Sequence, residues 1–367
     1  MGLCASKSPT LNASPSYGTH SSYDSEGSSR ASTAPVVESN SLPQSPQVSA
    51  LRVALGTRPE RLRTGGDAAL EQHQIQQAAY HMGAYVVGDE VTSPTRFAAA
   101  GQTVHDVRLL LKHGRGNVKA DDIPSHSHNG IGSSVARMAP DEAVNVATAV
   151  VMGAALCDQS APLCAIVHAP HMAADELSET VGAYVPMKQV TNEGHEITVQ
   201  AGHAWNELRR GGRNPSSTVV MDAWANGPAV RLKDSAWSGA TIQKNPWSMD
   251  KGGAESLKES LEHWIPLLHP DRSQSTAANL REEQKEPTSW IKYGEPQVIS
   301  PEFASRVREV LSRCPEEQRR KIASRMIQET YGMDTDTSAH QSAVESVLAA
   351  ATQLDSLPRP PVVPPEH

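Results

Sequence analysis

Aromatic residues are scarce in this 367-residue chain: they make up 4% of it, and only two are phenylalanine. Hydrophobic residues of all kinds reach 38%. Such a composition supports a packed core over part of the length rather than from end to end. Cysteine is equally sparse, with Cys4, Cys157, Cys164 and Cys314 alone. Four scattered thiols are too few for a disulfide framework, and their spacing matches no zinc pattern, so a reducing compartment is the natural reading. No apolar run approaches the roughly 18 residues of a membrane span. The most apolar stretch, Ala143 to Leu156, is broken by Asn145, Thr148 and Gly153. Basic charge is not in excess: the net charge of -8 gives no reason to expect nucleic acid as a partner. No charged start followed by an apolar core marks a secretory signal peptide. Nothing calls for a cofactor or a metal. His126 and His128 stand near Asp121 and Asp122, but without cysteines or a third spaced ligand they read as a solvated polar turn.

What is present begins with a lipidation pattern. Met1-Gly2-Leu3-Cys4-Ala5-Ser6 fits N-myristoylation, with Gly2 as the acceptor. One acyl chain anchors a protein only marginally. No basic cluster follows, since Lys7 and Arg30 are the only cationic residues among the first fifty, so Cys4 is the candidate for a palmitoyl group. Fourteen of those fifty residues are serine and five are proline, too little apolar surface to offset the entropy of ordering. Residues 1–65 read as a disordered leader and tether.

Helices are predicted over Asp67 to Met82 and Thr103 to Lys112. The glycines and Pro124 between positions 114 and 133 predict a loop. Pro140-Asp141-Glu142 opens another helix, which Gly153 weakens or ends. Further on, Ala254 to Ile265 is amphipathic and Pro266 stops it. A charged linker, 272–287, precedes three helices at Pro301 to Arg313, Pro315 to Tyr331 and Ser338 to Leu354, whose apolar faces suit mutual packing. Pro358 to Pro365 is extended and polyproline-like.

Three separated pieces carry chemistry. Cys157-Asp158-Gln159-Ser160-Ala161 offers a thiol near a helix start, where the dipole and the free N–H groups favour an anion. Pro162 fits best in a first helical turn, which predicts a helix beginning nearer Ser160. A lone cysteine is more often a small buried hydrophobe, a description that suits Cys164 in its apolar run. Glu196 to Gly202 alternates as a half-buried strand, with His203 at its end, 46 residues after Cys157. Thr218 to Met221 is a second strand with Asp222 at its tip. An antiparallel pairing brings His203 and Asp222 together. Thiol, imidazole and carboxylate are the members of a nucleophile–base–orienter relay. Trp205 and Trp224 flank them; Trp237 and Trp247 lie in polar sequence and suit the edge of a core.

Cys157-Asp158-Gln159-Ser160-Ala161 resembles the Cys-[Gly/Asp]-[Glu/Asp]-x-Ala start of the catalytic helix in transglutaminase-like, papain-fold enzymes, with Gln159 where an acid is usual. Gly202-His203-Ala204-Trp205-Asn206-Glu207 resembles their histidine strand, and Met221-Asp222-Ala223-Trp224 their aspartate strand. With the lipidation start and the serine-rich leader, the chain is similar to the HopX/AvrPphE/XopE family of type III secreted effectors of plant-pathogenic bacteria, most of all its XopE branch. The resemblance implies an α+β fold in which a catalytic helix packs on an antiparallel sheet. It implies a cysteine-dependent acyl-transfer enzyme: transglutaminase, protease or deamidase. Cys157 would be nucleophile, His203 base and Asp222 orienter. The implied partners are a host protein substrate, the host plasma membrane through the N-terminal lipid, and a bacterial secretion chaperone. Secretion by the type III route would deliver the chain to the host cell, where myristoylation takes place. The chain then divides into the leader (1–65), a catalytic domain (66–255), a helical extension (256–357) and a proline-rich tail (358–367). A membrane-tethered adaptor without activity is the alternative.

Overall fold

The computed structural model describes residues 68–139, 141–243, 247–268 and 291–359. Gly2, Cys4, the serine-rich leader, the charged linker 272–287 and the tail beyond Arg359 lie outside the described residues. The described residues form an α+β fold, with helices packed on an antiparallel sheet.

Helix α1 (Gln72–Val86) opens where the Gln74 side chain accepts from the Glu71 N–H at 2.9 Å. Helix α2 (Pro94–Leu110) starts earlier than its apolar spacing predicts, because Pro94 is tolerated in a first turn whose N–H groups lack partners anyway. The loop expected over positions 114–133 is instead largely ordered. A short strand β1 (Gly114–Arg115) and a single 3-10 turn lead into α3 (His128–Arg137). Its glycines allow close packing rather than a break: a Cβ on Gly132 would sit 3.0 Å from the Cβ of Ala154 and 3.1 Å from that of Met152.

The predicted start at Asp141 is observed. Its carboxylate accepts from the Val144 N–H at 2.9 Å and caps α4 (Glu142–Met152). Gly153, at φ 64°, ends the helix in the left-handed region. Strand β2 (Ala154–Ala155) pairs in parallel with β1, and α5 (Cys157–His168) follows at once.

The main sheet is built from β3 (Glu176–Val190), β4 (Glu196–Arg210), β5 (Val219–Met221), β6 (Val230–Arg231), β7 (Trp247–Met249) and β8 (Lys292–Tyr293). The order is β6-β5-β4-β3-β7, with β8 also on β3, and every pairing is antiparallel. The long β3–β4 hairpin is its spine. Strand β4 runs well past Gly202, where the alternation of apolar and polar residues stops, because β3 supplies a partner for each residue as far as Arg210. His203 therefore sits in mid-strand, not at a strand end. Pro186 is accommodated in β3 because, among the described residues, the partners of its outer edge lie at 178–180, 182–183 and 188–190 and leave Pro186 unpaired on that side.

Helix α5 lies against β4 and β3, and α2 packs on α5 and β5. Helix α6 (Lys251–Leu267) carries Pro266 in its last turn, where one lost bond is tolerated. The helices α7 (Pro301–Arg313), α8 (Glu316–Tyr331) and α9 (Ser338–Ala351) pack on α1, and α8 packs on α9. Tyr331 donates to the Gln74 carbonyl at 3.2 Å and Gln76 to the Pro358 carbonyl at 2.7 Å. The described residues all fall in one compact unit.

Candidate active site

Local chemistry sets the thiol at the head of α5. Gly153 turns the chain out of α4, β2 ties it to β1, and Leu156 takes an extended conformation at the N-cap. The Gln159 side chain folds back to accept from the Leu156 N–H at 2.8 Å. Either an amide or a carboxylate accepts such a bond, which accounts for glutamine in a position the resemblance gives to an acid. The helix therefore begins at Cys157 and not nearer Ser160. Pro162 sits in its second turn and deprives only the carbonyl of exposed Asp158, which water can serve. First-turn N–H groups, those of Cys157 and Asp158 among them, have no acceptor within the helix.

Of the two cysteines in this helix, Cys157 is partly exposed and Cys164 is fully buried. Burial pushes the Cys164 thiol up to about 12, so it stays protonated and behaves as a small apolar side chain.

His203 lies opposite Ala183 on β3, with Gly182 and Tyr184 opposite its neighbours. Asn206 pairs with Met221, so Asp222 at the tip of β5 is a diagonal neighbour of His203 on the same sheet. The His203 Nε2 lies 2.7 Å from the Asp222 Oδ2, and both side chains are out of contact with solvent. The carboxylate is satisfied on every side. Its Oδ1 accepts from the N–H groups of Trp224 and Ala225, each at 3.0 Å, and its Oδ2 also accepts from the Trp237 indole at 3.1 Å.

Electrostatics follows from this geometry. Burial alone would raise Asp222 and lower His203. Their mutual attraction and hydrogen bond outweigh it, so Asp222 is held below the ordinary carboxylate value and His203 above the ordinary imidazole value. A carboxylate only accepts, so Nε2 of His203 carries a proton. That leaves Nδ1, which has no hydrogen bond of normal geometry, as the free ring atom. Cys157 is the other side chain near enough to raise the proton affinity of the ring. The three sequence-predicted residues are thus brought together, in the order thiol, imidazole, carboxylate.

No family model, curated protein or solved structure matches the chain.

Several groups at the site escaped the sequence reading. Trp237 was expected at a core edge. It is buried, its ring centroid lies 4.7 Å from that of His203, and its indole orients Asp222. Trp224 and Trp205 close the other sides of the imidazole at 5.0 and 5.7 Å. Trp247, by contrast, is only partly buried on β7. Arg108 reaches from α2 to the carbonyls of Ala225 at 2.6 Å and Gly227 at 2.8 Å, which fixes the segment after Asp222 and adds a positive charge beneath it. Arg115 grips Asp121 with two guanidinium bonds of 2.7 and 2.8 Å and donates to the Trp224 carbonyl at 3.1 Å. Asp122 is engaged by Lys292. The one available signal was an arginine inside the apolar stretch of α2. Cavities of about 790 Å³ between α8 and α9, and about 650 Å³ beside β7 and α6, do not border Cys157, His203 or Asp222.

Proposed function

We propose that the chain is a cysteine-dependent acyl-transfer enzyme with a papain- or transglutaminase-like core. The observation that carries this reading is the imidazole held between two groups: Nε2 bound to Asp222 at 2.7 Å, and Nδ1 left free with Cys157 acting on the same ring. The raised affinity of the ring keeps the proton shared with Cys157 on Nδ1, and the sulfur so freed attacks the carbonyl carbon of a carboxamide or peptide. The first-turn N–H groups of α5 receive the developing oxyanion. The imidazolium returns its proton to the leaving amine or ammonia, leaving a thioester on Cys157. Water then completes hydrolysis or deamidation, while an amine completes a crosslink. Asp222 keeps the ring in the required tautomer throughout.

The resemblance of the three motifs and the lipidation start supports a setting for this chemistry. The chain is a type III secreted effector, anchored at the host plasma membrane through Gly2 and Cys4, that modifies host proteins and so suppresses or triggers plant immunity. A bacterial chaperone would accompany it before secretion.

The test is to incubate wild-type and Cys157→Ala protein with host extract, scoring cleavages, crosslinks and one-dalton shifts by mass spectrometry. One of these products should form with the wild type and vanish with the variant. Identical products from both would remove Cys157 from the chemistry.

One observation favours the adaptor instead: the His203 side chain is fully buried under three tryptophans, and the cavities of about 790 and 650 Å³ do not border it. On that reading the Cys157→Ala protein retains every host interaction and every cellular effect.

A further inference from the structure

A second cluster of chemically active side chains lies away from Cys157, where α1 begins. Glu71 precedes the helix, His73 stands in its first turn, and His105 faces them from α2. The Nδ1 of His73 lies 3.4 Å from the Glu71 Oε2, and the Nε2 of His105 lies 3.7 Å from the same oxygen. One atom from each of the three residues falls within 4.8 Å of the others.

The Gln102 amide nitrogen donates to the Asp106 Oδ1 at 2.9 Å, and a carboxylate only accepts, so the orientation of that amide is fixed. Its Oε1 must then accept from the His73 Nε2, 2.9 Å away. His73 therefore carries a proton on Nε2, and in the neutral ring its Nδ1 presents a bare lone pair to the Glu71 carboxylate. That Nδ1 has no hydrogen-bond partner. The unpartnered Nδ1 of His73 and the Nε2 of His105 thus both lie against one Glu71 oxygen, three potential ligand atoms in one small volume.

We propose that Glu71, His73 and His105 bind one divalent transition-metal cation of the zinc class. Two imidazole nitrogens and one carboxylate oxygen are a donor set suited to such a cation, and water would complete the coordination. Tetrahedral bonds of about 2.0–2.1 Å place ligand atoms roughly 3.3 Å apart, close to the two spacings involving Glu71. The rings stack 3.9 Å apart at 9°, so their in-plane lone pairs run side by side, and binding turns the His105 ring out of the stack. Glu71 is 68% exposed, and its carboxylate, which also serves the capping box of α1, closes the third side. Gln102 and Asp106 are the outer hydrogen bonds that fix the tautomer of a metal-bound imidazole. Bound metal would clamp the start of α1 to α2. The site stands apart from Cys157 and does not depend on the reading of that residue.

The experiment uses the full chain carrying Cys157→Ala, so that the thiol does not compete, stripped with chelator and titrated with Co²⁺. One cobalt per chain is expected, seen as a visible absorption band and displaced by Zn²⁺, with a rise in melting temperature on Zn²⁺ addition. Glu71→Gln, at an exposed position where folding is not at risk, and His105→Gln should each weaken uptake at least about tenfold and abolish the rise. Gln102→Ala should weaken it by about 10-fold through the freed tautomer. No uptake, or equal uptake by the parent and Glu71→Gln proteins, would overturn the proposal.

Discussion

At the scale of single residues, what matters is how the carboxylate of Asp222 uses its four hydrogen bonds. Two backbone N–H groups and the Trp237 indole hold it rigid and charged, and the fourth bond sets the tautomer of His203. Asp222→Asn keeps the shape but lets the amide donate to Nε2, which moves the ring proton to Nδ1, the atom that must receive from sulfur. The account predicts a fall in turnover on the order of 10³–10⁴-fold with the fold retained, measured on whichever host product the wild type forms. The same pair shapes stability. His203 is held above 6.5, so its contribution is complete below that pH and drains away as pH rises through its raised folded value. Asp222 is held below 3.8, and its contribution is lost only as pH falls through that lowered value. Urea unfolding from neutral into alkaline buffer should show wild type losing stability more steeply than His203→Gln, which has no such proton to release. Cys157, His203 and Asp222 stood out in the sequence only as an ordered set of three motifs, since each alone is more often structural. Trp237 and Arg108 did not. Their roles depend on chain segments far away in sequence, and nothing local distinguishes an indole that orients a carboxylate from one that fills a core.

At the scale of elements, the junction between α4 and α5 sets the position of the thiol. Gly153 lies at φ 64°, and a Cβ there would come 3.0 Å from both the His113 ring and the Lys112 side chain. Gly153→Ala should cost about 1–3 kcal/mol in chemical denaturation, from left-handed strain and this crowding. Turnover should fall with it, because Cys157 begins only four residues later. Capping chemistry made this junction readable: an acidic N-cap at Asp141 and a glycine at the helix end are local signals. The long strand β3 was missed because its apolar residues are interleaved with Gly182 and Pro186, and its existence depends on pairing with β4. Likewise β4 was read short, since apolar–polar alternation stops once both of its faces are covered. The glycines between 114 and 133 suggested a loop where they serve tight packing of α3 on the β1–β2 pair.

For the whole molecule, α1 is the element shared by the sheet-bearing part and the C-terminal helices. His81 shows how closely they are joined. Its ring lies between Gln77 on α1 and Thr330 on α8, each at 3.1 Å, and burial lowers it to about 3. His168 on α5 is lowered to about 3 as well, by burial and the neighbouring His171 and Arg96. Both stay neutral in the folded chain while the unfolded chain takes up protons near 6.5. Their contribution is therefore complete above that pH and is lost as pH falls toward 3, at up to about 1.4 kcal/mol per pH unit for each ring. Melting temperature should drop on acidification below neutrality, and His81→Gln should flatten that slope.

The account rests on a proton passing between Cys157 and His203, and this is testable without knowing the substrate. The measurement is the rate of iodoacetamide alkylation at each cysteine, followed by mass spectrometry in wild type and in His203→Gln. Cys157 should react faster than Cys314 and far faster than buried Cys164, and the His203→Gln substitution should slow it about tenfold or more while leaving Cys314 unchanged. A rate at Cys157 that is no greater than at Cys314, or that does not change when the imidazole is removed, would contradict the account.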